Sequence, residues 1–284
     1  MISIGLRVAA TVAIVLFGSP AWSQSETSGL DRLYILDCGQ GHASDQSRWS
    51  PGVNVGVPLD IVDNCYLIHH AQGYLLWDTG ISDQVAALPG GEIGTGTALV
   101  WRKPKTLATQ LDQIGVKPSD VRYIAVSHTH PDHVGNVDMF PTATLLIQKA
   151  EYDWAFAANG NPIFFASGVP RFSLEHPTMK LDGDHDVFGD GSAVLISTPG
   201  HTPGHQSLLV HLPKTGWLVL SGDAVHFKDN WDHRRVPGLN VDKDKTLASM
   251  QRIADLMAER HAELWINHDK VQSDTQRHAP DHYE

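Results

Sequence analysis

At 284 residues, 42% of them apolar and 19% charged, the chain can bury a full core as one large domain or two small ones. Twenty-one basic residues against 32 acidic ones give a formal charge of −11. So acidic a surface argues against nucleic acids and anionic membranes as partners, and suits a neutral substrate better than an anionic one.

The first residues stand apart. Arg7 precedes an apolar run over 8–17, too short to cross a bilayer; Gly18-Ser19-Pro20 breaks it, and Ala21-Trp22-Ser23 offers small residues flanking a cut before Gln24. That is the layout of a secretory signal peptide over 1–23, with a retained anchor as the alternative. The expected product is a single domain over 24–284, periplasmic or secreted and free of the membrane. It keeps 20 basic and 32 acidic residues, for a formal charge of −12. An oxidising compartment would permit Cys38 and Cys65 to pair. Both sit in apolar, strand-like segments and nothing reports their separation, so the reading leans toward two buried thiols.

In chain order, 33–37 reads as a strand and 41–59, rich in Gly, Pro, Ser and Asn, as a long loop. Residues 65–70 and 74–77 form a hairpin turning at Gly73. Loop character returns over 84–104. Leu107, Leu111 and Ile114 mark one face of a helix over 106–114 that Gly115 ends. Strands follow at 121–126 and 144–148, with a short helix starting at Glu151. Residues 159–177 are aperiodic. Strands at 194–197, 208–211 and 217–220 precede the strongest helix, 246–260, and a closing strand at 264–266. No linker separates two domains, and sheet packed on sheet with helices outside fits the pattern.

Chemistry concentrates where strands end. Ser127-His128-Thr129-His130-Pro131-Asp132-His133 leaves the strand over 121–126, and few short patterns are so dense in ligands. In an extended segment His128 and His130 point the same way and reach one ion. Pro131 turns the chain, so Asp132 and His133 aim at a second. Thr198-Pro199-Gly200-His201-Thr202-Pro203-Gly204-His205 leaves the strand over 194–197 in like manner, with His201 a ligand and His205 holding the loop by hydrogen bonds. Asp223, after Ser221-Gly222, can bridge two cations, and His268 follows the last strand. The sets are His128, His130 and His201 for one ion and Asp132, His133 and His268 for the other, with Asp223 across both. Imidazole and carboxylate without thiolate suit two divalent ions, zinc first, with iron, manganese and cobalt as alternatives.

These ordered motifs resemble those of the metallo-β-lactamase superfamily over 37–268. The resemblance implies an α/β (α+β) fold, an αββα sandwich of two packed mixed sheets flanked by helices, with the site along one edge and Asp78 buried behind the first metal loop. The 199–208 loop, Leu36-Asp37-Cys38-Gly39 and the 264–269 ending are similar to those of N-acyl-homoserine-lactone lactonases. That implies a quorum-quenching hydrolase opening the lactone ring of a neutral, acylated small molecule, with a metal-bridging hydroxide as nucleophile. The alternatives are a β-lactam, thioester or organophosphate substrate on the same fold. Several members carry a tyrosine three residues after the bridging aspartate; here His226 stands there, able to donate a hydrogen bond or shuttle a proton. Asp132 or His226 would deliver the proton to the leaving oxygen. For the acyl tail the candidates are Trp154, Phe156, Phe164 and Phe165, with Trp101 and Trp231 on other loops. A homodimer is left open.

Overall fold

Residues 33–36 and 65–68 are apolar at consecutive positions, so these strands need cover on both faces. The computed structural model, which describes residues 29–157 and 172–284, supplies it. One sheet holds β1 (Leu30–Ala43), β2 (Leu59–His70), β3 (Gly73–Trp77), β4 (Glu92–Ile93), β5 (Leu99–Arg102), β6 (Val121–Ala125), β7 (Thr144–Gln148) and β8 (Thr178–Leu181), in the order β4-β5-β1-β2-β3-β6-β7-β8. The second holds β9 (His185–Asp186), β10 (Ala193–Ser197), β11 (Gln206–Leu212), β12 (Gly216–Leu220) and β13 (Glu263–Trp265), in the order β13-β12-β11-β10-β9. Both are mixed, with β3, β6, β7 and β8 parallel in the first and β12 and β13 parallel in the second.

The inner faces meet through Leu33, Ile35, Tyr66, Ile68 and Trp77 on one side and Leu195, Leu208, Val210 and Leu218 on the other. Outside the first sheet, Leu107 and Leu111 of α1 (Leu107–Gln113) and Ala155 of α3 (Lys149–Phe156) cover Leu36, Leu67 and Ile124. Outside the second, Met250 and Ile253 of α5 (Lys243–Arg260) cover Val194, Ile196 and Val219. Shorter helices α2 (Pro131–Val134), α4 (Lys228–His233) and α6 (Lys270–Ser273) lie at the strand-end loops and near the carboxyl terminus. This is the αββα sandwich that the motifs imply. Under the site, a buried amide chain ties the sheets together. Gln206 Nε2 of β11 donates to Val126 O at 2.8 Å and Gln148 Nε2 of β7 donates to Gln206 Oε1 at 3.0 Å.

Three readings change. The expected loop over 41–59 is shorter, because β1 and β2 stay paired out to Ala43 and Leu59. Gly41 lets them approach, since a Cβ there would lie 2.5 Å from Ile61 Cγ1. The loop over 84–104 contains β4 and β5, which extend that pair. Cys38 and Cys65 form a disulfide rather than two thiols. Cys38 sits at a register shift between Asp37 and Gly39 in β1, beside the partner strand, a proximity that pairing creates and spacing does not report. Among the described residues no helix is long and apolar enough to cross a membrane. The expected leader over 1–23, with Phe164 and Phe165, lies outside the described residues.

The carboxyl-terminal tail is stitched to β1 through Leu33 and Tyr283, each donating to the other's carbonyl at 2.9 Å. His278 Nδ1 lies 2.8 Å from Asp37 Oδ1, and Lys105 Nζ 3.2 Å from Asp37 Oδ2. The close approach of Asp37 and His278 raises the imidazole pKa and lowers the carboxyl pKa. His278 therefore adds stability that is complete below its unfolded value and lost as pH rises through the raised one. Asp37 adds stability above its unfolded value, lost as pH falls through the lowered one. Both contribute near pH 6. We predict that Asp37→Asn lowers Tm by about 2–4 °C at pH 6, for about 1 kcal/mol, and by less at pH 9, where Lys105 alone still pairs. Equal losses at both pH values in scanning fluorimetry would discount the His278 pair.

Candidate metal centre

Chain direction brings the ligands to one rim. β10 and β12 each run antiparallel to β11 and β12 runs parallel to β13, so their carboxyl ends share an edge, as do those of β3 and β6 in the facing sheet. Asp78, the 127–133 loop, the 198–205 loop, Asp223 and His268 leave these five ends. Gln206 N–H donates to Ser127 O at 2.9 Å, joining the two rims.

Two groups of side chains there have the spacing to hold an ion: His128, His130, His201 and Asp223, and Asp132, His133 and His268, each with donor atoms within 4.8 Å of one another. Asp223 divides its carboxylate between them. Its Oδ2 lies 3.3 Å from His201 Nε2 and 3.8 Å from His128 Nε2, and its Oδ1 lies 3.4 Å from His133 Nε2 and 3.1 Å from His268 Nε2. Asp132 approaches the second group, 3.8 Å from His133 Nε2 and 3.9 Å from His268 Nε2. His130 Nδ1 stands 3.1 Å from His201 Nε2. His128 Nε2, His133 Nε2 and Asp223 Oδ1 are buried and have no hydrogen-bond partner. Buried polar atoms are rarely left so, and lone pairs turned inward on a shared point suit two divalent cations.

The opposite ring nitrogens are spoken for, which fixes the tautomers. His133 Nδ1–H donates to Asp78 Oδ2 at 2.9 Å, His201 Nδ1–H to Asn240 Oδ1 at 2.8 Å and His268 Nδ1–H to Val62 O at 2.6 Å. Ser127 Oγ meets His128 Nδ1 at 3.0 Å while donating to Asp78 Oδ2 at 2.9 Å. His205 does the reverse: its Nε2 accepts from Asp223 N–H at 2.9 Å, so its proton is on Nδ1, facing Thr198 O at 3.1 Å. It thus aims the shared carboxylate instead of offering a lone pair to an ion. Asp78 thus lies behind His133 and His205 behind Asp223. Asn240, Ser127 and the Val62 carbonyl are further supports. Ser127 adjoins the motif and could have been named; Asn240, in the segment before α5, gives no local signal.

Burial keeps the first group neutral, drawing His130 and His201 down to about 3 and His128 well below its ordinary value. Burial also opposes charge on His133 and His268, but Asp223 outweighs it, raising His133 well above the ordinary value and His268 to about 9. Asp223 itself would be raised by burial, yet His268 and His226 bring it well below the ordinary carboxylate range.

A cavity of about 990 Å³ opens over the groups, with His130, Asp132, His201, Asp223, His226 and His268 in its wall. Its apolar lining includes Trp49, Ile61, Ile81, Val85, Leu99 and Trp101. Trp101 lies in this wall, 6.0 Å between ring centroids from His268. Trp154 and Phe156 do not line it: α3 lies outside the first sheet, and Phe156 packs on Tyr152 and Phe172. Nor does Trp231, which packs on the cluster outside the second sheet. His226 lines the cavity, but its Nε2 faces Asp223 Oδ2 at 3.0 Å and its Nδ1 is buried without a partner.

Fold, ligand order and rim together define a class. The family model of the metallo-beta-lactamase superfamily matches residues 60–260, and the chain belongs to that superfamily. Within it, the chain is 33% identical to N-acyl homoserine lactonase AttM of Azorhizobium caulinodans over 268 residues, 89% of this chain and 98% of that one. It is 28% identical to N-acyl homoserine lactonase AiiA of Bacillus thuringiensis subsp. kurstaki over 88% of this chain and 98% of that one. A solved N-acyl homoserine lactone hydrolase, with its product N-hexanoyl-L-homoserine at the catalytic metal centre, superposes with a TM-score of 0.77. It is 26% identical, over 89% of this chain and 99% of its own.

Replacing Asp78 by Asn puts an amide beside Ser127 N–H or His133 Nδ1–H, donor against donor. The expected result is a roughly 10–100-fold weaker hold on one metal ion. Metal content after dialysis against graded chelator checks this; full retention would remove Asp78 from the support of the site.

Proposed function

We propose that this chain opens the lactone ring of N-acyl-homoserine lactones by hydrolysis, using two divalent ions, zinc by preference. The observation carrying this reading is the divided carboxylate of Asp223 on the floor of an apolar-walled cavity, in a chain similar along most of its length to lactonases. His128, His130 and His201 would hold one ion and Asp132, His133 and His268 the other, with Asp223 shared. Zinc is favoured by a donor set of imidazole and carboxylate. Bound there, divalent ions supply Lewis acidity for the ester carbonyl and a more acidic water.

The protein's own groups do the rest. Trp49, Ile61, Ile81, Val85, Leu99 and Trp101 take the acyl tail and keep water from that side of the ester. His226, whose Nε2 lies 3.0 Å from Asp223 Oδ2, would steady the shared carboxylate, and its Nδ1 is buried without a hydrogen-bond partner. We take that role over the oxyanion donor suggested by its position. Asp132, largely buried in the cavity wall, carries a proton to the ring oxygen as the acyl carbon–oxygen bond breaks. Water is consumed, and a carboxylate, an alcohol and one released proton result. Export to an oxidising compartment accords with the leader-like residues 1–23 and with the Cys38–Cys65 disulfide.

A substrate panel separates this reading from its rivals. Purified protein should turn over acyl-homoserine lactones faster than thioesters, β-lactams or phosphotriesters, lose activity to a chelator and regain it with Zn²⁺. Faster turnover of any other class would assign the chain to that class. Asp223→Ala should strip ions from both groups and cost activity beyond the roughly 10–100-fold lost with an outer support; undiminished turnover would end the proposal. Trp101→Ala should raise KM roughly tenfold for long acyl chains and little for short ones. A uniform change across chain lengths would place the tail elsewhere.

A further inference from the structure

Two loops supply the first group of ligands, and a carboxylate that the proposed reaction does not use stands between them. Thr129 lies between His128 and His130; Gly204 lies between His201 and His205. Glu151, in the first turn of α3, is fully buried. Its Oε1 accepts from Thr129 N–H at 2.8 Å and from Thr129 Oγ1–H at 2.7 Å, and its Oε2 accepts from Gly204 N–H at 3.1 Å. Gly204 permits this approach, since a Cβ there would sit 2.2 Å from Glu151 N. On the loop's other side, a Cβ on Gly200 would sit 2.3 Å from Thr246 N of α5. The 198–205 loop is thus wedged between two helices and latched to the first histidine loop by one side chain. Across that latch His130 Nδ1 and His201 Nε2 stand 3.1 Å apart.

We propose that Glu151 is a positioning residue whose carboxylate sets the separation of the two histidine loops, so that His128, His130 and His201 converge on one ion. It acts through Thr129 and Gly204 rather than on ion or substrate. The inference rests on the functional reading only in taking those three imidazoles as ligands. Packing alone does not explain a carboxylate here, because burying one is unfavourable unless its oxygens are matched by donors. Three N–H and O–H groups converge, and only a side chain that accepts at both ends satisfies them all. A glutamine would turn its own N–H₂ toward Thr129 or Gly204.

The test compares Glu151→Gln with the parent, each loaded with Zn²⁺ and, separately, with Co²⁺. One of two ions should pass to a chelator roughly 10–100-fold faster, and the Co²⁺ absorption bands should shift. A lowered Tm with parental release and parental bands would overturn the proposal and leave Glu151 a packing residue. Should Glu151→Gln fail to fold, Thr129→Val removes one donor and keeps the shape. Faster release and shifted bands in that variant support the proposal, and parental values overturn it. Neither readout requires lactone turnover. Altered release in a protein inert toward lactones would sink the functional reading alone; parental release in an active lactonase would sink this inference alone.

Discussion

The site depends on one buried carboxylate held between two sets of imidazoles. Asp223 cannot be charged in that interior without cations or protons around it, and its two oxygens face different partners. Its position is fixed from behind. His205 accepts its backbone N–H, and Gly222 adopts a φ of 52° where a Cβ would lie 2.7 Å from Ser127 Cβ. Glycine is required there on both counts, since side-chain-bearing residues avoid that conformation and no space exists for one. The Ser221-Gly222-Asp223 turn is therefore a consequence of bringing two sheet rims into contact.

Around the carboxylate the imidazoles divide by electrostatics. Burial makes those of the first group harder to protonate; Asp223 and Asp132 make those of the second easier to protonate. Metal uptake competes with protons at each imidazole, so occupancy of the site is coupled to acidity. The outer partners do not set these charges so much as direct the rings. Each of Asp78, Asn240 and the Val62 carbonyl takes one Nδ1–H and leaves Nε2 facing inward.

Much of the apolar wall comes from a part of the chain whose sequence reads as loop. Leu99 and Trp101 lie on β5, which extends the β1–β2 pair beyond the sandwich, and the rest of the wall joins them from β2 and the neighbouring loops, Val85 among them. A scaffold built to hold ions at strand ends can vary such segments without disturbing its ligands, because they hang from backbone pairing at the sheet's edge rather than from the core. The Cys38–Cys65 disulfide ties the two strands from which they extend.

Local sequence determined what depends on local chemistry. Ligand density in 127–133 and the glycine-proline punctuation of 198–205 announced the metal loops, and apolar runs announced the core strands. Where the reading fell short, the missing information was distance between remote residues. It lies in the pairing of Gly39 and Gly41 into β1, the joining of Cys38 to Cys65, the placement of Asn240 on His201, and the removal of Trp154 and Phe156 to the outside of the first sheet. No periodicity carries those facts, because backbone pairing satisfies hydrogen bonds whatever the side chains are, and a polar supporting residue is chosen by what folding brings to it. Sequence alone thus named the atoms able to bind cations; tertiary structure decided which of them meet and what holds them there.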